Sequence, residues 1–191
     1  MTTSMVGYGY IDGIASALKL PVDRVRKVYF ENNHLINIEG VSIENFAKIL
    51  TEKLRVPEKF ADLLKKFQAH TEPEIDPMML DLVDKLRSLD YKVGLLSNNR
   101  KEAAVHMRAI GLDKHFDTLI VSAEVGMQKP SRQIFELFAK NLGVSPHELI
   151  FIDDSPQSLL PSKEIGFHPI LFKDYDSLIE NLKALGVLSS K

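Results

Sequence analysis

Apolar positions along this chain follow two rhythms. Between residues 11 and 67 they recur at helical spacing. Ile14, Leu18 and Leu20 lead to Pro21, and Val25, Val28, Tyr29 and Phe30 form a second stripe. Ser42 precedes Ile43, Phe46, Ala47, Ile49 and Leu50, and Pro57 precedes Phe60, Leu63, Leu64 and Phe67. Pro57 suits a first helical position, while Glu31-Asn32-Asn33-His34 reads as a polar turn between helices. Residues 11–71 are therefore predicted to form a small all-helical unit.

Beyond the connector Glu72-Pro73-Glu74-Ile75-Asp76-Pro77, short apolar runs alternate with helical patterns. Strands are predicted at residues 92–97, 118–122, 149–153 and 169–172, and helices at 79–89, 101–110, 132–142, 157–165 and 175–185. Gly111, Gly143 and Gly166 stand where helices commonly stop, and Ser145-Pro146-His147-Glu148 is a capping-box pattern. Apolar strands alternating with helices imply a parallel sheet covered on both faces. The predicted architecture is α/β, with residues 1–10 and 72–191 as the sheet core and residues 11–71 as an insert.

Composition narrows the function classes. The 191 residues carry 24 Lys+Arg against 26 Asp+Glu, a net charge of -2, which gives no basic excess for nucleic acid or an anionic membrane. Cysteine is absent, which excludes disulfides, zinc–thiolate sites and thiol nucleophiles and fits a reducing cytoplasm, the expected location. No apolar run approaches the roughly 20 residues that span a bilayer, and residues 1–10 lack the basic region of a signal peptide.

Ligands of open parallel sheets gather at the carboxyl ends of strands, and three such ends carry polar residues. Ser97-Asn98-Asn99 follows the 92–97 strand, where a hydroxyl and main-chain N–H groups can receive a phosphate or simply cap the next helix. Lys129-Pro130 follows the loop behind the 118–122 strand; the lysine can offset anionic charge or lie solvated. Asp153-Asp154 closes the 149–153 strand. Two adjacent acids there call for compensation such as Mg²⁺, although Asp154 or Ser155 can also cap the next helix.

The order of these segments, strand–Ser97, then Lys129-Pro130, then strand–Asp153-Asp154-Ser155-Pro156, resembles the haloacid dehalogenase-like (HAD) hydrolase superfamily. The likeness is to phosphatase-type members with a small helical cap inserted after the first strand, and it covers nearly the whole chain. It implies a Rossmannoid three-layer parallel sheet, with Ser97, Asn98 and Lys129 on the transferring phosphoryl group and Asp154, supported by Asp153, on Mg²⁺. It further implies hydrolysis of a small phosphorylated metabolite, such as a sugar phosphate, through an aspartyl-phosphate. Receiver domains of signalling pathways use similar residues, but their acidic pair comes first in the chain, whereas here it comes last.

The family's first motif, an apolar strand ending in the nucleophilic Asp, is missing ahead of the helical unit. The nearest match, Tyr10-Ile11-Asp12-Gly13, puts Tyr10 at the nucleophile position, and Asp12-Gly13 reads as a turn or cap. The chain is expected to be a shortened form that begins past this motif, and to be inactive for lack of the nucleophile. A non-catalytic binding or interaction protein is the alternative. A 2-haloacid dehalogenase fits less well, because that branch needs no Mg²⁺ and carries no acidic pair there. Without its central first strand, the sheet is expected to pair the 149–153 and 93–97 strands directly, to accept residues 3–10, or to borrow a strand by self-association. A vacant central slot is not expected, since main-chain groups seek partners.

Overall fold

The computed structural model describes residues 8–69 and 75–189. Its first element, α1 (Tyr8–Leu18), buries Ile11, Ile14, Ala15 and Leu18, the i, i+3, i+4, i+7 stripe of an amphipathic helix. That stripe carries the helix straight through Asp12-Gly13, which is therefore not a turn; one helical glycine costs only about 1 kcal/mol against a fully buried face. Tyr8, Gly9 and Tyr10, assigned from sequence to the sheet core, open this helix instead. Residues 3–7 of the expected substitute strand lie outside the described residues.

α2 (Val22–Asn32), α3 (His34–Asn37), α4 (Ile43–Lys53) and α5 (Phe60–Gln68) complete the helical unit. Only Asn33 separates α2 from α3, so the expected polar turn is mostly helical; Asn32 Nδ2 donates to Val28 O at 2.7 Å within α2. Ser42 Oγ caps α4 by accepting from Asn45 N–H at 3.2 Å, and Pro57 opens a 3-10 turn rather than an α-helix. The core joins Ile14, Leu18, Val25, Leu50, Leu54 and Leu63 to an aromatic group. In that group Phe46 and Tyr10 each stack on Phe67, with centroids 5.8 and 6.4 Å away.

The rest of the chain alternates as its apolar runs require. α6 (Pro77–Ser88) is capped by Asp76 Oδ1, which accepts from Met78 N–H at 2.9 Å. Then come β1 (Gly94–Ser97), α7 (Lys101–Ala109), β2 (Thr118–Val121), α8 (Ser122–Val125), α9 (Arg132–Leu142), β3 (Ile150–Asp153), α10 (Pro156–Ile165), β4 (His168–Leu171) and α11 (Tyr175–Ala184). Ser122, predicted to end a strand, starts the short α8.

Among the described residues the strands form two separate parallel pairs. β1 runs beside β2 with Gly94 opposite Thr118 and Ser97 opposite Val121; β3 runs beside β4 with Ile150 opposite His168 and Asp153 opposite Leu171. The expected direct pairing of β1 with β3 does not occur. A cavity of about 520 Å³ lies between them, lined by Leu95 and Leu96 on one side and Ile150 to Asp153 on the other. Leu82 from α6 and Phe138 and Leu142 from α9 also line it, so the facing edges of β1 and β3 border an open cavity where none was expected.

Two helices bridge the divided sheet. On one face Ile134, Phe135, Phe138 and Leu142 of α9 pack against Leu96 and Ile120 of the first pair and against Phe151 of the second. On the other face α6 sends Val83 to Leu95 and Val121, and Met79 and Leu82 to Ile170, Leu178 and Leu182. The α9 contact depends on Gly94, because a Cβ there would stand 2.6 Å from Phe138 Cζ and 2.9 Å from Thr118 Cγ2. Gly94→Ala is accordingly expected to destabilise the fold by about 1–3 kcal/mol through overpacking, read from the midpoint of urea unfolding.

Candidate functional site

The three strand ends converge on one cavity: Ser97, Asn98, Lys129, Asp153 and Asp154 all line it. Lys129 organises them. Its N–H donates to Asn98 Oδ1 and its carbonyl accepts from Asn98 Nδ2, both at 2.8 Å, which fastens its main chain to the end of β1. Its side chain reaches the other half of the sheet, where Nζ donates to Asp153 Oδ2 at 2.6 Å and lies 5.7 Å from the centroid of Phe151. Asp153 Oδ1 accepts from Ser155 N–H at 2.8 Å. The ammonium and carboxylate side chains are only 13% and 7% exposed, so this is a buried ion pair at the carboxyl ends of β1 and β3.

No side-chain cap bond is made at the start of α7 or of α10. The N-cap of α7 is Arg100, whose N–H donates to Asn99 Oδ1 at 3.0 Å, so Ser97 is left to close β1 on the cavity. Ser155 is the N-cap of α10, with no side-chain cap bond, and Asp154 lines the cavity half-buried. Asn98 differs from expectation in kind. Both ends of its amide are engaged by the Lys129 main chain, so its side chain positions the lysine and its own N–H is what remains for an anion.

Two polar residues beside the site were not among the site residues expected from sequence, although Tyr10 was noted at the nucleophile position. Ser122, fully buried, accepts from Asn99 N–H at 2.8 Å and donates toward Asn99 O at 2.9 Å and Asn37 O at 3.1 Å. Its signal is the one that marked Ser97, a hydroxyl closing an apolar strand. Tyr10 lines the cavity from the helical unit; burial pushes its phenol up to about 12, against the opposing pull of the Arg100 guanidinium. Burial raises Tyr29 further, so both rings stay neutral throughout the physiological range.

The donor set fits Mg²⁺ in chemistry. Carboxylate oxygens are the hard ligands this ion prefers, and it commonly takes one or two of them while keeping several waters. Each Asp153 oxygen already accepts one hydrogen bond, from Lys129 or Ser155, so Asp154 is the freer carboxylate and the better candidate for principal ligand. Among the described residues no group of three His, Cys, Asp or Glu comes together, so a site made wholly of protein ligands is not built here.

The family profile described as haloacid dehalogenase-like hydrolase matches residues 12–172. The chain belongs to this family. The HAD-like chain is 32% identical over 140 residues to the bifunctional epoxide hydrolase 2 of Sus scrofa, covering 70% of itself and 25% of that protein. It is 28% identical over 131 residues to the phosphorylated carbohydrates phosphatase of Thermotoga maritima, covering 68% of itself and 55% of the relative. It thus spans a quarter to about half of these proteins. Among solved structures, a HAD family enzyme of Bacteroides thetaiotaomicron, in complex with magnesium and inorganic phosphate, superposes with a TM-score of 0.57. That match has 20% identity and covers 88% of this chain and 89% of the other, a likeness of fold.

The buried pair in this HAD-like chain makes a stability test possible. Lys129→Met leaves the Asp153 carboxylate buried with one main-chain donor and is expected to cost about 3 kcal/mol, whereas adding Asp153→Asn to it is expected to recover much of that loss. Urea unfolding of both single variants and the double variant measures the coupling. Additive losses would show that the two groups do not interact.

Proposed function

We propose that this HAD-like hydrolase chain is phosphatase-type, holding a small phosphorylated metabolite with Mg²⁺ at the joined strand ends, and that it does not turn the ester over. The observation that carries the reading is Lys129, a buried ammonium fixed by Asn98 and Asp153 at the mouth of a cavity that Ser97 and Asp154 also line. A phosphoryl group there meets one cation, a hydroxyl and the Asn98 N–H. Asp154, with Asp153 behind it, would hold Mg²⁺, which when bound neutralises phosphoryl charge. The Thermotoga phosphatase and the magnesium- and phosphate-bound Bacteroides enzyme support the ligand class.

Within residues 1–191 no Asp closes an apolar run ahead of the helical unit. Residues 1–10 contain neither Asp nor Glu, and Asp12 lies within α1. This favours a binding role for the chain on its own, the second reading raised by the sequence. Calorimetry with inorganic phosphate tests the site, and release of p-nitrophenol from p-nitrophenyl phosphate tests turnover. Phosphate is expected to bind in the presence of Mg²⁺, to bind at least about ten-fold more weakly to Ser97→Ala and Lys129→Met, and to lose its Mg²⁺ dependence in Asp154→Asn. No p-nitrophenol is expected. Turnover at an ordinary enzymatic rate would overturn the assignment of inactivity, and absence of phosphate binding would overturn the site itself.

A further inference from the structure

We propose that Gln128 is a positioning residue, a side-chain clasp through which the seating of the helical unit sets the affinity of the phosphate site. The inference rests on the phosphate-site reading above. Gln128 precedes Lys129 and holds α3 by both ends of its amide: Nε2 donates to Asn33 Oδ1 at 3.1 Å, and Oε1 accepts from Asn37 Nδ2 at 3.2 Å. These partners lie 95 and 91 residues away in the chain. Asn33 is buried, and a third tie runs nearby from Ser122 Oγ to Asn37 O at 3.1 Å.

The clasp acts on the lysine through one peptide unit. Lys129 has its main chain held by Asn98 and its ammonium by Asp153, and one route left for its freedom is the peptide shared with residue 128. Fixing Gln128 to α3 removes that freedom. A released loop would let the ammonium drift from the place where it meets both Asp153 and a phosphate, and misplacement by about 1 Å is enough to weaken such a site severely. All three side chains are neutral amides, so the clasp is insensitive to salt and to pH in the ordinary range, unlike a closure driven by ion pairs.

The chemistry of the amide supplies a diagnostic. Gln128 has one donating end and one accepting end, and it can turn over. A carboxylate at either Asn33 or Asn37 can therefore be accommodated, but carboxylates at both cannot, because the accepting end then faces an acceptor. The 191-residue protein and its variants are compared by hydrogen exchange of segments 33–38 and 126–131 and by calorimetry with inorganic phosphate and Mg²⁺. Gln128→Met, similar in length but unable to make either bond, is expected to speed exchange in both segments and to weaken phosphate binding about ten-fold. Asn33→Asp and Asn37→Asp alone are expected to keep protection near that of the parent, and the double variant to lose it. Unchanged exchange in Gln128→Met would overturn the clasp. Faster exchange with unchanged phosphate affinity would make it merely structural and overturn the coupling. A parent protein that takes up no phosphate would overturn the phosphate-site reading and with it the coupling, and exchange alone would then decide the clasp.

Discussion

The ion pair between Lys129 and Asp153 joins what the main chain leaves divided. β1 and β2 form one parallel pair and β3 and β4 another, with no hydrogen-bonded ladder between them among the described residues. α6 and α9 bridge the faces with apolar contacts, which are strong but not directional. At the carboxyl ends the junction is polar and specific: Asn98 fixes the lysine main chain, and Asp153 fixes its ammonium. The same constraint that aligns the half-sheets thereby gathers a cation, a hydroxyl and a second carboxylate around one opening. Stability and the proposed ligand chemistry meet in a single pair of side chains.

Most of the fold was legible because apolar runs are local signals. Leu149 to Asp153 reads as a buried strand without help, and Gly143 stops α9 in the left-handed conformation expected of a helix end. Errors arose where a local cue was outweighed by distant packing. Asp12-Gly13 looks like a turn until the stripe of Ile11, Ile14, Ala15 and Leu18 finds the rest of the helical core. The division of the sheet was half visible. The 149–153 and 93–97 strands were expected to meet, but which strands pair is decided by packing across the whole core, and β1 and β3 stay in separate pairs.

The candidate site shows the same boundary between near and far. Ser97, Lys129, Asp153 and Asp154 could be picked out because each closes or follows a strand, and strand ends are where parallel sheets gather ligands. The work of Asn98 and Gln128 was not visible, since each acts through partners tens of residues away. A side-chain amide gives no sign in sequence of whether it faces a ligand or another part of the chain. Membership in the HAD-like hydrolases supplies the chemical context, and the residues of this chain decide how much of that chemistry it retains.

The central claim, that the joined half-sheets form a phosphate and Mg²⁺ site, is tested most directly by a crystal structure of the protein grown with MgCl₂ and inorganic phosphate. The account predicts a phosphate within about 3 Å of both Lys129 Nζ and Ser97 Oγ, with Mg²⁺ bound by Asp154. A structure in which the ions bind elsewhere or not at all, while Lys129 stays closed on Asp153, would contradict it.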